Sequence, residues 1–125
     1  MSMEFKPSKS IFLQIAETIC RQVMEGTLQP GDRVPSLRDL AAEYEVNRNT
    51  LMRTFSLLSA DGIIENKRGV GFYVSDNAIR VIFKIERTDF FTNELPDIIQ
   101  KAKLLKLTSA DMTDLLNQLK LNDSL

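Results

Sequence analysis

Between Gly26 and Gly71 the sequence is interrupted at short intervals by residues that stop or start secondary structure. This punctuation limits the fold more than any other feature. Gly26 closes a long apolar-periodic stretch, and Leu28-Gln29-Pro30-Gly31-Asp32 has the composition of a turn. Val34 precedes Pro35 and is therefore expected to be extended. Ser36 and Asn47 have the chemistry of helix N-caps, and Gly62 closes a further segment. Segments this short can form only small helices and a hairpin.

The residues between the breaks say which. From an N-cap at Ser8 or Ser10, Phe12, Ile15, Ala16, Ile19, Cys20, Val23 and Met24 recur at three- and four-residue steps, one broad apolar helix face. Ser36 opens a second, short helix with a buried stripe of Leu37, Leu40, Ala41 and Tyr44, ending around Glu45-Val46; Asp39 gives it an Asp-type capping box. Asn47 opens a third. On a wheel of about 100° per residue, Leu51, Phe55 and Leu58 cluster on one side while Asn49, Arg53 and Ser56 lie opposite. Ile63-Ile64-Glu65-Asn66 and Phe72-Tyr73-Val74-Ser75 are β-rich runs around a glycine-bearing loop, a hairpin. The expected fold is mostly α with a small β-hairpin: a winged helix-turn-helix over residues 1–75, followed by a short helical dimerisation tail over 76–125. In the tail, Pro96 marks a helix start or kink, and Thr108 with Asp111 is expected to cap a last helix bearing Met112, Leu115, Leu116 and Leu119.

Composition narrows the chemistry. The chain has 125 residues, no histidine and one cysteine. The commonest general base and metal ligand is thus missing, and a structural zinc site lacks its usual donors. Ser8, Ser36 and Ser59 have no histidine to activate them, and the carboxylates are dispersed over helix surfaces. Gly69-Val70-Gly71 has no strand-to-helix context for a phosphate loop. No catalytic residue, cofactor or metal is assigned, and an enzyme is not expected. No run reaches the ~18 apolar residues of a membrane span, and Met1 to Lys6 lacks the pattern of a secretion signal. With a lone Cys20 among Ile19, Val23 and Met24, a reducing cytoplasm is the expected setting. The formal net charge of −1 argues against a non-specific nucleic-acid coat but not against a sequence reader with one basic surface.

Such a surface is expected where the second and third helices begin. Free N–H groups at the start of the second helix favour a phosphate beside Ser36 and Arg38. Asn47-Arg48-Asn49-Thr50 opens the third helix, whose first residues would reach base edges in the major groove. Arginine grips guanine in two places and asparagine does so for adenine. Arg53, one turn in, either holds a phosphate or is solvated. Lys67 and Arg68 make a basic wing tip for the minor groove or its phosphates. Gly69 and Gly71 serve either that approach or a turn needing positive φ.

With these residues laid out, the chain closely resembles the GntR family of bacterial repressors. The resemblance runs from about Ser10 to Ser75. It is carried by Gln14-Ile15-Ala16, Gly26-x-Leu28-x-Pro30-Gly31-Asp32-x-Val34-Pro35-Ser36-x-Arg38-x-Leu40-Ala41, Val46-Asn47-x-Asn49-Thr50, Asp61-Gly62-Ile63-Ile64 and Arg68-Gly69-x-Gly71-x-x-Val74. It implies that Ser36, Arg38, Arg48, Asn49, Thr50 and Gly71 lie at or near DNA. Two positions depart from it. Phe72 stands where the family has threonine, and Met52 where many members have arginine, with Arg53 offset by one. Roughly fifty residues follow the wing, too few for an enclosed effector cavity. This short tail looks like the YtrA-like subfamily, whose members are dimers that often control transporter operons.

Val81, Ile82, Phe83, Ile85, Phe90 and Phe91 are too many apolar groups for one helix to expose, and their spread exceeds one face. One side is expected to pack within the chain and the other against a second copy; the alternative is a helical cap packed wholly within the chain. The expectation is a regulator that binds double-stranded palindromic DNA as a homodimer; the resemblance implies a repressor, while the residues themselves leave repressor and activator open. The competing class is a winged-helix protein-interaction module without DNA binding. No residue points to a small-molecule effector.

Overall fold

The computed structural model describes residues 9–124. The alternative N-cap Ser8 and the stretch Met1 to Lys6 lie outside them. The elements run α1 (Ile11–Glu25), α2 (Leu37–Tyr44), α3 (Arg48–Ala60), β1 (Ile64–Lys67), β2 (Gly71–Val74), α4 (Ala78–Asp89), a π-helical turn (Phe90–Glu94), α5 (Leu95–Leu104), α6 (Thr113–Lys120) and a 3₁₀ turn (Asn122–Ser124). The chain divides into two compact units, Met1–Ile85 and Glu86–Leu125.

The first unit is built on the stripes read from the sequence. Ile15, Ala16, Ile19, Cys20 and Val23 of α1, Leu40, Ala41 and Tyr44 of α2, and Leu51, Phe55 and Leu58 of α3 share one core with Val34, Ile63, Ile64 and Val74. Met24, expected on the α1 face, lies at its edge and is 41% exposed; Leu37 is half-buried. Burial, and behind it the charge of Glu43, raises the pKa of the Tyr44 phenol above its usual value. The core does not end at Ser75. Ala78 and Ile82 of α4 are buried in it and Val81 packs against it, so the first unit takes in two turns of helix past the expected boundary. Ile82, grouped from sequence with the dimer-forming residues, is therefore a residue of the chain's own core.

Local chemistry sets the helix ends. Ser36 Oγ accepts from the Asp39 N–H at 3.0 Å, and Asn47 Oδ1 accepts from the Asn49 N–H at 2.8 Å. Ser10 stands at the N-cap of α1 without a side-chain cap bond. The loop between α2 and α3 is so short that Glu45 adopts φ 56°, a conformation that non-glycine residues seldom take. Ser75 ties the hairpin's exit to the end of α3, its Oγ donating to the Gly62 carbonyl at 2.6 Å.

β1 and β2 pair antiparallel, with Ile64 opposite Val74 and Lys67 opposite Gly71. A third segment joins them. The Gly31 N–H donates to the Val74 carbonyl, the Val74 N–H to Asp32 and the Val34 N–H to Phe72, at 2.8–2.9 Å, with an antiparallel bridge between Arg33 and Tyr73. The stretch read as a turn and an extended Val34 is thus also the outer edge of the wing.

The second unit differs in kind. Among its described residues none is buried, and only Leu95, Ala102 and Met112 are half-buried. Pro96, which lacks an N–H, stands in the first turn of α5. Just before it the chain widens into the π turn, where the Leu95 N–H bonds the Phe90 carbonyl and Asn93 Nδ2 donates to Asp89 Oδ1 at 2.7 Å. The capping box of Thr108 and Asp111 forms, with the Thr108 N–H to Asp111 Oδ2 at 2.8 Å. The residues after it make irregular turns, so α6 begins at Thr113, later than expected.

Candidate nucleic-acid interface

The N-terminal turn of α3 is presented outward. Leu51, Phe55 and Leu58 face the core, and Arg48, Asn49, Met52, Arg53 and Ser56 are exposed. Asn47 is exposed while its side chain caps the helix, and Thr50 is half-buried. Thr54 is fully buried; its hydroxyl donates to the Phe12 carbonyl at 2.8 Å and lies 3.2 Å from the Thr50 carbonyl. This bond holds α3 against the first turn of α1. On the outer side the same two helices meet again, with the Arg53 guanidinium 4.0 Å from the centroid of the Phe12 ring. Arg53 is thus neither simply solvated nor a free tether: Phe12 carries it by a cation–π contact. Phe12, Asn49, Met52, Arg53 and Ser56 line a depression of about 490 Å³ on this face.

Ser36 is half-buried with its oxygen engaged as a cap, and Arg38, in the first turn of α2, is exposed. Free backbone N–H groups and the positive end of the helix dipole accompany that arginine.

The wing presents Lys67, Arg68 and Gly69, all exposed. Its turn is closed by the Val70 N–H on the Lys67 carbonyl at 2.9 Å, with Gly69 at φ +77°. Lys67 Nζ lies 4.4 Å from the centre of the Tyr73 ring. Gly71, at φ +130°, would bring a Cβ to 3.2 Å from Arg33 Nε. Both glycines therefore have a conformational role, and Gly71 also leaves room for a guanidinium. Phe72 meets Phe55 edge-to-face, ring centres 4.9 Å apart, and so locks the wing onto α3.

Arg33 escaped the sequence reading. It is exposed, and its backbone bridge to Tyr73 adds a third cation to the wing. Local sequence gave no sign of it, because the pairing that places it spans some forty residues.

Among the described residues no group of His, Cys, Asp and Glu could hold a metal, and no helix is long and apolar enough to cross a membrane.

Three short helices, an outward polar start to the third and a basic wing locked to it define a DNA-binding regulator of the winged helix-turn-helix class. Residues 12–74 match the bacterial regulatory proteins of the gntR family, and the chain belongs to that family. It is 37% identical to YhcF of Bacillus subtilis, an uncharacterized HTH-type transcriptional regulator, over 91% of this chain and 93% of that protein. The B. subtilis transcriptional repressor YtrA is 38% identical over 58% of this chain and 56% of its own length. A solved GntR family transcriptional regulator from Listeria monocytogenes superposes with a TM-score of 0.74 at 29% identity, covering 91% of this chain and 98% of that one. The expected family and the mostly helical winged-helix fold with its hairpin are borne out, and the family is one of regulators rather than enzymes.

Proposed function

We propose that the protein is a cytoplasmic, homodimeric, sequence-specific repressor that reads a palindromic operator. The observation that carries this reading is the exposed stripe at the start of α3, where Arg48 and Asn49 stand clear of the core above Leu51, Phe55 and Leu58. Arg48 and Asn49 read base edges in the major groove. The backbone at the start of α2, with Arg38, holds a phosphate, and Lys67, Arg68 and Arg33 hold the wing to the adjacent backbone. Repression as the sign of control rests on the likeness to YtrA. The YtrA-like short tail makes a transporter operon the natural target.

The dimer rests on the uncovered apolar side chains. Ile82 belongs to the core and Val81 packs against it. Phe83 (50% exposed), Ile85, Phe90 and Phe91 (56%) remain for a partner, together with Leu115, Leu116 and Leu119 of α6. A second copy of the chain covers them.

Selection of bound sites from random duplex DNA by the full chain tests the reading. The expected result is one enriched palindrome whose half-sites are about one helical turn, ~34–36 Å, apart. Enrichment of no sequence would remove the operator reading and favour the protein-interaction alternative.

A further inference from the structure

Met52 is the one apolar residue in an otherwise polar stripe. Met52 and Arg53 lie three and four residues after Asn49, and Ser56 lies four and three after them, so the four share one broad face of α3. Met52 is 53% exposed there. The core makes no claim on it, since Leu51, Phe55 and Leu58 fill the opposite side. Its neighbour Arg53 is drawn onto the Phe12 ring at 4.0 Å. Met52 therefore stands between Asn49 and a cation held to the side, on the wall of the depression that these residues line. Folding leaves about half of this apolar side chain in water, where a bound partner would desolvate it.

On the reading that this face enters the major groove, one apolar group awaits it on the base edges: the C5-methyl of thymine. We infer that Met52 is a specificity-determining residue that selects a thymine by packing on its methyl group, beside the base read by Asn49. The unbranched, polarisable thioether suits this, since it can adapt to a methyl whose position varies with local groove geometry. The α3 face around Met52 otherwise carries an amide, a guanidinium and a hydroxyl, which suit a base edge, and the one aromatic ring beside it, Phe12, is already engaged by the Arg53 guanidinium. The inference rests on the operator reading above.

The test uses the full chain and its selected operator. Each thymine of a half-site is replaced in turn by deoxyuridine, which removes only the methyl. Affinities are measured by gel-shift titration for the wild type, Met52→Ala and Met52→Gln. For the wild type, one thymine per half-site is expected to show a loss of about fourfold, the change for withdrawing one buried methyl from apolar contact. Both variants are expected to bind the thymine and uracil operators equally. A half-site without thymine, or one whose methyls are all dispensable, would overturn the inference alone. So would a methyl effect that persists undiminished in Met52→Ala. Selection that enriches no sequence overturns the operator reading and this inference with it.

Discussion

Arg48 and Thr54 lie six residues apart on α3, and their replacement should have opposite consequences. Arg48 is exposed at the helix start, so Arg48→Ala leaves stability within about 0.5 kcal/mol while operator affinity falls by about 1–3 kcal/mol. Thr54 is buried and its hydroxyl donates to the Phe12 carbonyl, so Thr54→Val keeps the shape and loses the bond. Stability should fall by about 1 kcal/mol, with operator affinity changed less than twofold once both proteins are folded. Thermal melts and gel-shift titrations of the two variants separate the effects. Unchanged binding by Arg48→Ala would remove that arginine from the reading set, and an unchanged melt for Thr54→Val would show that the hydroxyl does not hold α1 to α3. The outward placement of Arg48 and Asn49 was legible because capping and helical spacing are local rules. The support beneath them was not: Phe12 and Arg53 are 41 positions apart, and no periodicity pairs them.

At the scale of the element, the wing is the part the sequence described least completely. Its two paired strands were visible as β-rich runs around glycines. The edge formed by Gly31 to Val34 was hidden, because strand pairing across a long separation leaves no local mark. The π turn before Pro96 and the late start of α6 were hidden for a related reason: the signals at Pro96 and Thr108 mark an end without fixing what fills the next turn. The two wing glycines should differ in consequence. A Cβ on Gly69 meets nothing within 4 Å, so Gly69→Ala carries only the strain of positive φ, about 1 kcal/mol. A Cβ on Gly71 would come to 3.2 Å from Arg33 Nε, which must shift by a few tenths of an ångström, and φ +130° is itself strained for any side chain, so Gly71→Ala should lose more stability than Gly69→Ala. Denaturant titration of both variants, with and without Arg33→Ala, checks this. Arg33→Ala is expected to relieve part of the Gly71→Ala defect and none of the Gly69→Ala defect. A Gly71→Ala defect left unchanged by Arg33→Ala would show that the guanidinium is not packed there.

For the molecule as a whole, the decisive imbalance is between the two units. The first has a closed core reaching from Ile15 to Ile82, and the second has no buried residue among those described. A chain segment of forty residues that buries so little cannot offset the entropy of its own ordering. Its apolar side chains include Leu116 at 55% and Leu119 at 53% exposure, and with Met112 they line a shallow hollow of about 370 Å³ on α6. Burial against a second copy would supply what the unit lacks, and two-fold symmetry would supply each contact twice. Sedimentation of the wild type at micromolar concentration should therefore show a species of twice the 14.2 kDa chain mass. In the proposed dimer, Leu116→Asp places two unpaired carboxylates in the interface. At a combined cost of about 3 kcal/mol it should raise the dimer dissociation constant roughly a hundredfold. The first unit keeps its core in this variant, so its cooperative melt persists while affinity for the full palindrome drops towards that for one half-site. A wild type that sediments only at the chain mass removes the dimer. A Leu116→Asp protein that remains fully dimeric moves the interface away from this face of α6.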